Sequence, residues 1–266
     1  MKCIICNVSM EYFFSKNFSA YALNQVDYWN CPNCNFVISK THAEMAQADW
    51  ERLNADYHNT FLGLSTNADD PRWISRLQAQ TDVLNDLVEL GILHRNRWLD
   101  FASGDGKLSG FLREQYQLEL LNYDRYMPVG ENFLTETSLV PQSFDFVLTT
   151  SVFEHIIKRR DLDDIAALVT KTGVMGLHTL VCENIPQDPD WFYLLPVHCA
   201  FHTNKSMSLL LQQWGFEASI YNVEARLWLF FRSGGSAVQT IIEQANQRAG
   251  SRPAYIFKRG FVDYWK

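Results

Sequence analysis

The chain has 266 residues, of which 47% are hydrophobic and 14% aromatic, and its formal net charge is −7. This length predicts one medium-sized domain with an appendage, or two small domains, and the apolar content supports a sizeable core. An acidic chain lacks the positive surface that a long nucleic-acid footprint needs. No stretch has the roughly 18 uncharged apolar residues of a membrane span, and the N-terminus lacks the apolar run of a signal peptide. We therefore expect a cytoplasmic protein.

Four cysteines near the N-terminus form two pairs with the same spacing. Two residues separate Cys3 from Cys6 and Cys31 from Cys34, and 24 residues lie between the pairs. Each pair places two sulfurs on one side of a tight turn, and two such turns supply the four thiolates of a structural Zn²⁺ site. The alternatives are unrelated buried cysteines or a redox couple, but the repeated spacing favours zinc. The sequence therefore predicts a zinc ribbon over residues 1–45.

Two helices are predicted to link this ribbon to the rest of the chain and to cover a ligand site over residues 46–95. The first spans 41–58, with Thr41 as its N-cap, because apolar residues recur there at helical spacing. A polar stretch, residues 65–71, separates it from a second helix that runs from about Arg72 to Leu90 and ends at Gly91.

A strand, a turn of small residues and the start of a helix follow one another over residues 97–110. Gly104 and Gly106 allow a tight turn and a close approach of the backbone to a ligand, which the free amides at the helix start would face. The spacing Gly-x-Gly-x-x-x-Gly differs from the dinucleotide fingerprint. Asp100 at the strand end would repel a pyrophosphate and suits a ligand with a positive group.

A second acidic residue follows the next predicted strand, residues 118–123. Asp124 lies 124 − 106 = 18 residues after Gly106, about where a carboxylate meets ribose hydroxyls in such folds. S-adenosylmethionine fits this description, because it has a ribose at one end and a cation at the other.

These motifs resemble those of the class I S-adenosylmethionine-dependent methyltransferases. Asp100-x-Ala102-x-Gly104-x-Gly106 is similar to the first motif, Asp124 to the ribose-binding acidic residue, and residues 143–156 to the fourth strand and its Glu-His. Ala102 departs from the glycine usual in the family. Covering about 95–232, the resemblance implies a Rossmann-like α/β fold with a seven-stranded, mostly parallel sheet and an antiparallel last strand. The implied cofactor-binding residues are Asp100, Ala102, Ser103, Gly104, Gly106, Asp124, Arg125, Thr150 and Ser151.

The zinc ribbon ahead of this domain also resembles bacterial sugar C-methyltransferases and their relatives. We expect the methyltransferase domain over residues 96–235, with a strand at 174–181 after a turn at 171–173, and strands at 216–222 and 225–232 that complete the sheet. A helix and an aromatic, basic tail follow over 236–266. From Arg248 onward the charge is +5 − 1 = +4, which suits either a substrate phosphate or a solvated surface.

Histidines are the candidates for catalysis. An oxygen or carbon acceptor must lose a proton, and histidine accepts one near neutral pH. The candidates are His155 after the fourth strand, which has a loop-holding role as its alternative, and His198 and His202. The last two lie in a proline- and aromatic-rich segment, 183–206, that reads as an acceptor pocket and lid or as a packed plug. A second metal on His198 and His202 lacks an obvious third ligand.

The sequence therefore predicts a methyltransferase that acts on a small acceptor: a sugar, a nucleotide sugar or a glycan precursor, with or without a phosphate. One alternative is an RNA-modifying enzyme, against which residues 1–45 carry three lysines and three acidic residues and no basic stripe. The other is a non-catalytic partner protein. The complete set of predicted cofactor carboxylates and glycines argues against that alternative.

Overall fold

In the computed structural model, the described residues are 1–21, 23–61, 71–127, 130, 132–249 and 254–263. They form two β-sheets and a set of helices around them. The strands are β1 (Glu11–Phe18), β2 (Asn24–Asn30), β3 (Val37–Ser39), β4 (Trp98–Phe101), β5 (Leu121–Tyr123), β6 (Phe144–Thr150), β7 (Val169–His178), β8 (Val181–Cys182), β9 (Ala200–Thr203), β10 (Ala218–Asn222), β11 (Leu227–Phe231) and β12 (Tyr255–Arg259). The helices are α1 (Lys40–Ala43), α2 (Gln47–Phe61), α3 (Pro71–Glu89), α4 (Lys107–Tyr116), α5 (Arg159–Leu168), α6 (Asn204–Gln213) and α7 (Gly235–Ala249).

The larger sheet has seven strands in the order β12-β10-β11-β7-β6-β4-β5. Strands β5, β4, β6 and β7 are parallel to one another, while β11 pairs antiparallel with β7 and with β10, and β10 pairs antiparallel with β12. This is the mixed, mostly parallel α/β sheet of the predicted fold class. Because the crossovers place helices on both faces, the strands are buried on both sides.

The edge of this sheet differs from the prediction, because the C-terminal tail adds a strand, β12. Strands β10 and β11 do not complete it, because β12 pairs with β10 in the register Ala218↔Arg259 to Asn222↔Tyr255. Asn246 of α7 holds the start of β12: its side chain donates to the Tyr255 carbonyl and accepts from the Tyr255 amide, at 2.7 and 3.1 Å. The aromatic tail therefore covers what would otherwise be an open strand edge. Residues 250–253 and 264–266 lie outside the described residues.

The strand predicted at 174–181 is also displaced. Strand β7 begins at Val169, and the predicted turn at 171–173 is a bulge inside it, because its pairing with β6 shifts between Phe144↔Val169 and Phe146↔Val174. The strand ends at His178, and Val181 belongs to the smaller sheet. The second strand of the large sheet is shorter than predicted and begins at Leu121.

The predicted first helix, 41–58, is two helices. Ser39 caps α1, since its side chain accepts from the His42 amide. Thr41 is not the cap, because its hydroxyl accepts the backbone N–H of Asp27 instead, at 2.9 Å. The second predicted helix is confirmed as α3, and residues 65–70 of the polar stretch before it lie outside the described residues. Within the described ranges, each helix is too short or too polar to cross a bilayer.

The smaller sheet joins the N-terminal ribbon to a segment far along the chain. Its order is β1-β2-β3-β9-β8, and β3 pairs with β9 through Val37↔Phe201 and Ile38↔Ala200. The Ser39 amide extends the ladder by donating to the Cys199 carbonyl at 2.7 Å. The segment 183–206, expected to be an irregular lid or a packed plug, therefore ends as a strand of the zinc-ribbon sheet. Its three prolines all precede β9, so they leave this ladder intact.

The two faces of the large sheet bury separate cores. One core contains Leu84, Phe146 and Ile220, while the other joins ribbon residues such as Tyr28 to sheet residues such as Val147. The alternation along β6 sends neighbouring side chains to opposite faces. The ribbon thus packs on one face of the large sheet. The domain boundaries predicted after residues 45, 95 and 235 stay predictions.

Candidate active site

The turn after β4 places a series of residues in the left-handed backbone region. Ala102, Gly104 and Gly106 have φ of 60°, 59° and 74°. A Cβ costs roughly 1–2 kcal/mol in this conformation, so glycine is favoured at all three positions. A Cβ at Gly106 would also lie 2.8 Å from the Asn122 side-chain nitrogen, whereas none of the described atoms lies within 4 Å of a Cβ placed on Gly104. The loop therefore has no room for a side chain at Gly106 but has open space beside Gly104.

Asp124 fixes this loop to the end of β5. Its carboxylate accepts the backbone N–H of Gly104 at 2.9 Å through one oxygen and those of Tyr126 and Met127 at 2.7 and 2.9 Å through the other. The Ser103 amide adds a bond to the Tyr123 carbonyl at 3.1 Å. A carboxylate has about four lone-pair sites, so one remains for a hydroxyl donor such as a ribose.

Asp100 and Ser103 present buried polar atoms without partners. Asp100 is 2% exposed, and neither its Oδ1 nor the Ser103 Oγ has a hydrogen-bond partner among the described residues. Burial, with a smaller contribution from the Asp124 charge, raises the pKa of Asp100 to about 8. A positive group in the loop would compensate this carboxylate. The donor set and the open space fit the ammonium, sulfonium and ribose groups of S-adenosylmethionine.

The remaining predicted cofactor residues fall in two places. Thr150 ends β6, and Ser151, with φ 56°, donates its amide to the His178 carbonyl at 2.8 Å, so both lie at the carboxyl end of the sheet. Arg125 follows Asp124 at the carboxyl end of β5, and its side chain is 51% exposed, with the guanidinium 3.9 Å from Glu51 and 3.6 Å from Glu136. Ion pairs this exposed contribute little to stability.

A second polar group lies just after β6, where Glu154 and His155 meet His198. We refer to these three residues as the histidine–glutamate cluster. One ligand atom from each lies within 4.8 Å of those of the other two, and the two imidazole centroids are 5.0 Å apart. Glu154 is 2% exposed, and its oxygens accept the hydroxyls of Thr179 and Tyr193 at 2.8 and 2.7 Å. The structure thus brings together two of the three predicted catalytic histidines.

The electrostatics keep both imidazoles neutral. Burial, reinforced by neighbouring His198, lowers the pKa of His155 to about 3. Burial likewise lowers the pKa of His198 to about 4, although the Tyr193 carbonyl opposes it by accepting from Nδ1 at 2.9 Å. Neutral imidazoles have a free lone pair, so they can accept a proton or ligate a metal.

The third predicted histidine lies elsewhere. His202 belongs to β9, is 1% exposed, and packs between the rings of Phe36 and Phe153 at centroid distances of 5.0 and 5.6 Å. Burial lowers its pKa to about 4. This position, under the ribbon, suits core packing, and the catalytic assignment of His202 stays a sequence-based prediction.

Sequence reasoning missed Arg76, His58, Thr179 and Tyr193. Arg76 of α3 lies 3.0 Å from His178 Nε2; burial lowers its pKa, and the nearby Glu154 charge opposes this. His58 of α2 has its ring 5.4 Å from that of His155. The available signal for His58 and Arg76 was that they are polar residues on helices, α2 and α3, that the sequence predicted to pack against the domain. Nothing in the sequence distinguished Tyr193 from the other aromatic residues of its segment.

The four cysteines of the ribbon converge as predicted. Sγ distances are 3.7 Å for Cys3–Cys34, 3.4 Å for Cys6–Cys31 and 3.7 Å for Cys6–Cys34. Tetrahedral zinc with Zn–S bonds of about 2.3 Å requires sulfurs about 3.8 Å apart. The cluster therefore has the donors and nearly the spacing of a structural zinc site, with no position open for a substrate.

The mostly parallel sheet with its glycine turn and two strand-end carboxylates matches what the sequence predicted for a class I S-adenosylmethionine-dependent methyltransferase. The chain belongs to the methyltransferase domain family, whose model matches residues 53–219. The prediction of an S-adenosylmethionine-dependent enzyme is thus confirmed. Comparison with curated proteins gives no match.

Several solved structures are similar to this chain at low identity. Magnesium protoporphyrin IX methyltransferase from Synechocystis PCC 6803 with bound S-adenosylmethionine is 16% identical over 71% of this chain and 100% of its own, with a TM-score of 0.47. An S-adenosylmethionine-dependent methyltransferase from Archaeoglobus fulgidus is 16% identical over 55% and 72%, with a TM-score of 0.41. A chain from the complex of Haloferax volcanii Trm112 methyltransferase activator with a putative methyltransferase is 12% identical over 64% and 97%, with a TM-score of 0.47.

Proposed function

We propose that the enzyme transfers a methyl group to an oxygen or carbon of a small, hydroxyl-bearing acceptor, namely a sugar, a nucleotide sugar or a glycan precursor. The observation that supports this most is the histidine–glutamate cluster at the end of β6, close along the chain to the proposed cofactor residues Thr150 and Ser151. S-adenosylmethionine supplies an already activated methyl group, so the protein has to align the acceptor and remove its proton.

On the cofactor side, we assign the ribose hydroxyls to Asp124 and the positive end of the cofactor to Asp100. Ser103, Gly104 and Gly106 shape the loop that lets the ligand approach the backbone. Thr150 and Ser151 line the strand end beside the methyl donor. The orphaned Asp100 oxygen and the open space over Gly104 support these roles.

On the acceptor side, we assign proton removal to the free nitrogens of the histidine–glutamate cluster. As the acceptor oxygen or carbon bonds to the methyl carbon, the carbon–sulfur bond breaks and the acceptor proton moves to this cluster. Thr179 and Tyr193 orient Glu154 by donating to its oxygens. The partly buried Arg76 guanidinium, near Glu154, supplies a positive charge for an acceptor phosphate or carboxylate.

The cysteine cluster is proposed to bind a structural Zn²⁺ that organises the small sheet. Thiolates that ligate zinc persist in reducing compartments, so we extend the proposal to a cytoplasmic location. An RNA acceptor is the weaker alternative. The net charge of −7 and the equal numbers of lysines and acidic residues in the ribbon offer no phosphate-binding stripe.

The first test is calorimetric titration with S-adenosylhomocysteine, comparing the wild type with Asp124→Ala and Asp124→Asn. Each lost bond to the carboxylate is worth about 1.5–3 kcal/mol, so Asp124→Ala is expected to weaken binding at least about tenfold. Asp124→Asn, which retains an acceptor oxygen, should lie between. Equal affinities for all three proteins would refute the ribose assignment.

The second test is turnover with a panel of nucleotide sugars. His198→Ala is expected to lower methyl transfer by about 10²-fold or more, as for loss of a general base, while S-adenosylhomocysteine affinity stays within about threefold. The exposed His94→Ala is the control and should behave as wild type. Methylation of an RNA substrate but of no sugar in the panel would contradict the proposed acceptor class.

A further inference from the structure

We infer that Glu154, His155 and His198 form a binding site for a divalent first-row transition-metal ion, distinct from the cysteine cluster. A second metal was considered from sequence with His198 and His202 as ligands. The structure replaces His202 by His155 and supplies the missing third ligand from Glu154. These two residues lie 43 positions or more before His198, so the sequence did not place them together.

The geometry matches a three-ligand site. Ligand atoms of the three side chains lie within 4.8 Å of one another, and the two imidazole planes meet at 85°. Bonds of about 2.0–2.2 Å to nitrogen and oxygen require donor atoms within about 4.4 Å of each other, which small side-chain adjustments provide. Two histidines and one carboxylate are a recurrent donor set for metals that keep open coordination positions.

The ring nitrogens that are left without a hydrogen-bond partner also favour a metal ion at this cluster. The Nδ1 atom of His155 is buried and has no hydrogen-bond partner among the described residues. The Nδ1 of His198 donates to the Tyr193 carbonyl, which leaves its Nε2 as a lone-pair donor. An unpartnered buried nitrogen costs free energy, and a metal ion on His155 Nδ1 would remove that cost while also using the lone pair of His198 Nε2.

The surroundings orient the ligands as a metal site requires. Metal-ligating histidines usually donate their second nitrogen to a carbonyl or carboxylate, as His198 does to Tyr193. Glu154 is held by the hydroxyls of Thr179 and Tyr193, so the carboxylate is fixed yet retains lone pairs for a cation. The Arg76 guanidinium gives this buried carboxylate a nearby charge, and a divalent cation would give it a directly bound one.

The donor set also restricts the metal. With imidazole and carboxylate but no sulfur, the site suits Zn²⁺, Fe²⁺, Mn²⁺ or Co²⁺ rather than Cu⁺. His58 lies beside it, and its Nδ1 is engaged with the Asn54 carbonyl at 2.7 Å. An acceptor hydroxyl on an open position would lose its proton more readily. A metal ion bound here would occupy the nitrogens assigned above to proton removal, so the acceptor hydroxyl would then lose its proton from an open coordination position. The metal site itself does not depend on which acceptor is methylated.

The test is a Co²⁺ titration of protein whose cysteine cluster is already filled with Zn²⁺, followed by visible absorption and by metal analysis after desalting. The wild type is expected to bind one Co²⁺ per chain, with d–d bands and no sulfur-to-cobalt charge-transfer band. His155→Ala and His198→Ala should lose this equivalent. Glu154→Gln should weaken it at least about tenfold.

The buried His202→Ala is the matched control and should keep the full Co²⁺ equivalent. Retained zinc and a cooperative melting transition show that each variant is folded, and the wild-type titration stands without any variant. Failure of the wild type to bind Co²⁺, or equal binding by His198→Ala, would overturn the inference. Neither result bears on cofactor affinity, so the methyltransferase proposal is tested separately.

Discussion

The cofactor loop and the histidine–glutamate cluster lie near the same end of the large sheet but are built in opposite ways. The loop, Asp100–Gly106, consists of consecutive residues and one partner, Asp124. The cluster draws on the segment after β6, on Thr179, on the segment before β9, and on helices α2 and α3. Short-range assembly leaves a signature in the sequence, whereas long-range assembly depends on the whole fold.

Their chemistry differs as well. The loop is proposed to recognise its ligand mainly through backbone geometry and two carboxylates, so we expect that role to tolerate few residue types at few positions. The cluster uses side chains whose roles depend on what surrounds them, such as His198 oriented by Tyr193. We expect changes far from the loop to affect the cluster more than the cofactor site.

The strongest way to separate the two regions is to remove zinc. Cys31→Ser is expected to lose Zn²⁺ and several kcal/mol of stability, because structural zinc contributes roughly 10 kcal/mol or more to folding of small domains. Since β3 pairs with β9, the loss should reach His198 and lower turnover, while S-adenosylhomocysteine affinity changes less than about threefold. Elemental analysis, thermal melting and calorimetry measure these effects. A parallel fall of turnover and cofactor affinity would contradict the separation.

A pH series examines the loop alone. The pKa of Asp100 is raised to about 8 from an unfolded value near 4, so the cofactor-free folded state keeps a proton that the unfolded state releases. This contribution lowers stability as pH rises from about 4 to 8, by at most about 1.4 kcal/mol per pH unit. Asp100→Asn should therefore stabilise the cofactor-free protein at pH 8 and have little effect near pH 4. Urea unfolding of both proteins across this range measures it, and a pH-independent difference would count against the assignment.

The same group predicts the pH dependence of binding. A cationic cofactor favours ionised Asp100, so binding releases a proton and affinity should rise with pH, by at most about tenfold per unit, until about pH 8. Calorimetry in two buffers of different ionisation enthalpy counts that proton. Asp100→Asn should abolish the release.

The smallest expected effect concerns Ala102. With φ at 60°, Ala102→Gly relieves about 1–2 kcal/mol of backbone strain and costs up to about 1 kcal/mol of chain entropy, for a net gain of roughly 0.5–1 kcal/mol. Ala79→Gly, in the helix α3, is the control and should destabilise by about 1 kcal/mol. Chemical denaturation compares the two, and destabilisation by Ala102→Gly would argue against strain at this position.

The parts of the fold that could be predicted were those with local causes. The Asp100–Gly106 turn, the apolar run of β6 and the cysteine spacing each specify structure within a few residues. Strand β12 escaped prediction because its partner is the distant edge of β10, and β9 because its ladder is with β3. The burial of His202 follows from the same unseen strand.

The active-site predictions divide in the same way. Asp100 and Asp124 were proposed from spacing, and the structure places them at the ends of neighbouring strands, with Asp124 bonded to the loop that follows Asp100. The pairing of His155 with His198 and the approach of Arg76 arise from chain crossings that no periodicity encodes. Residue type indicated which side chains had reactive groups, but only the fold showed which of them are neighbours.

The pairing of β3 with β9 also bears on how the protein forms during synthesis. Val37 cannot form its pairing with Phe201 until Phe201 has been synthesised, which is 201 − 37 = 164 residues later. At translation rates of about 5–20 residues per second, this delay is roughly 8–30 s. During that time the Val37–Ser39 edge has hydrogen-bond donors and acceptors without its final partner, and such edges readily pair with other chains. Strand β3 can therefore complete its ladder only after strands β4 to β7 of the large sheet have been synthesised.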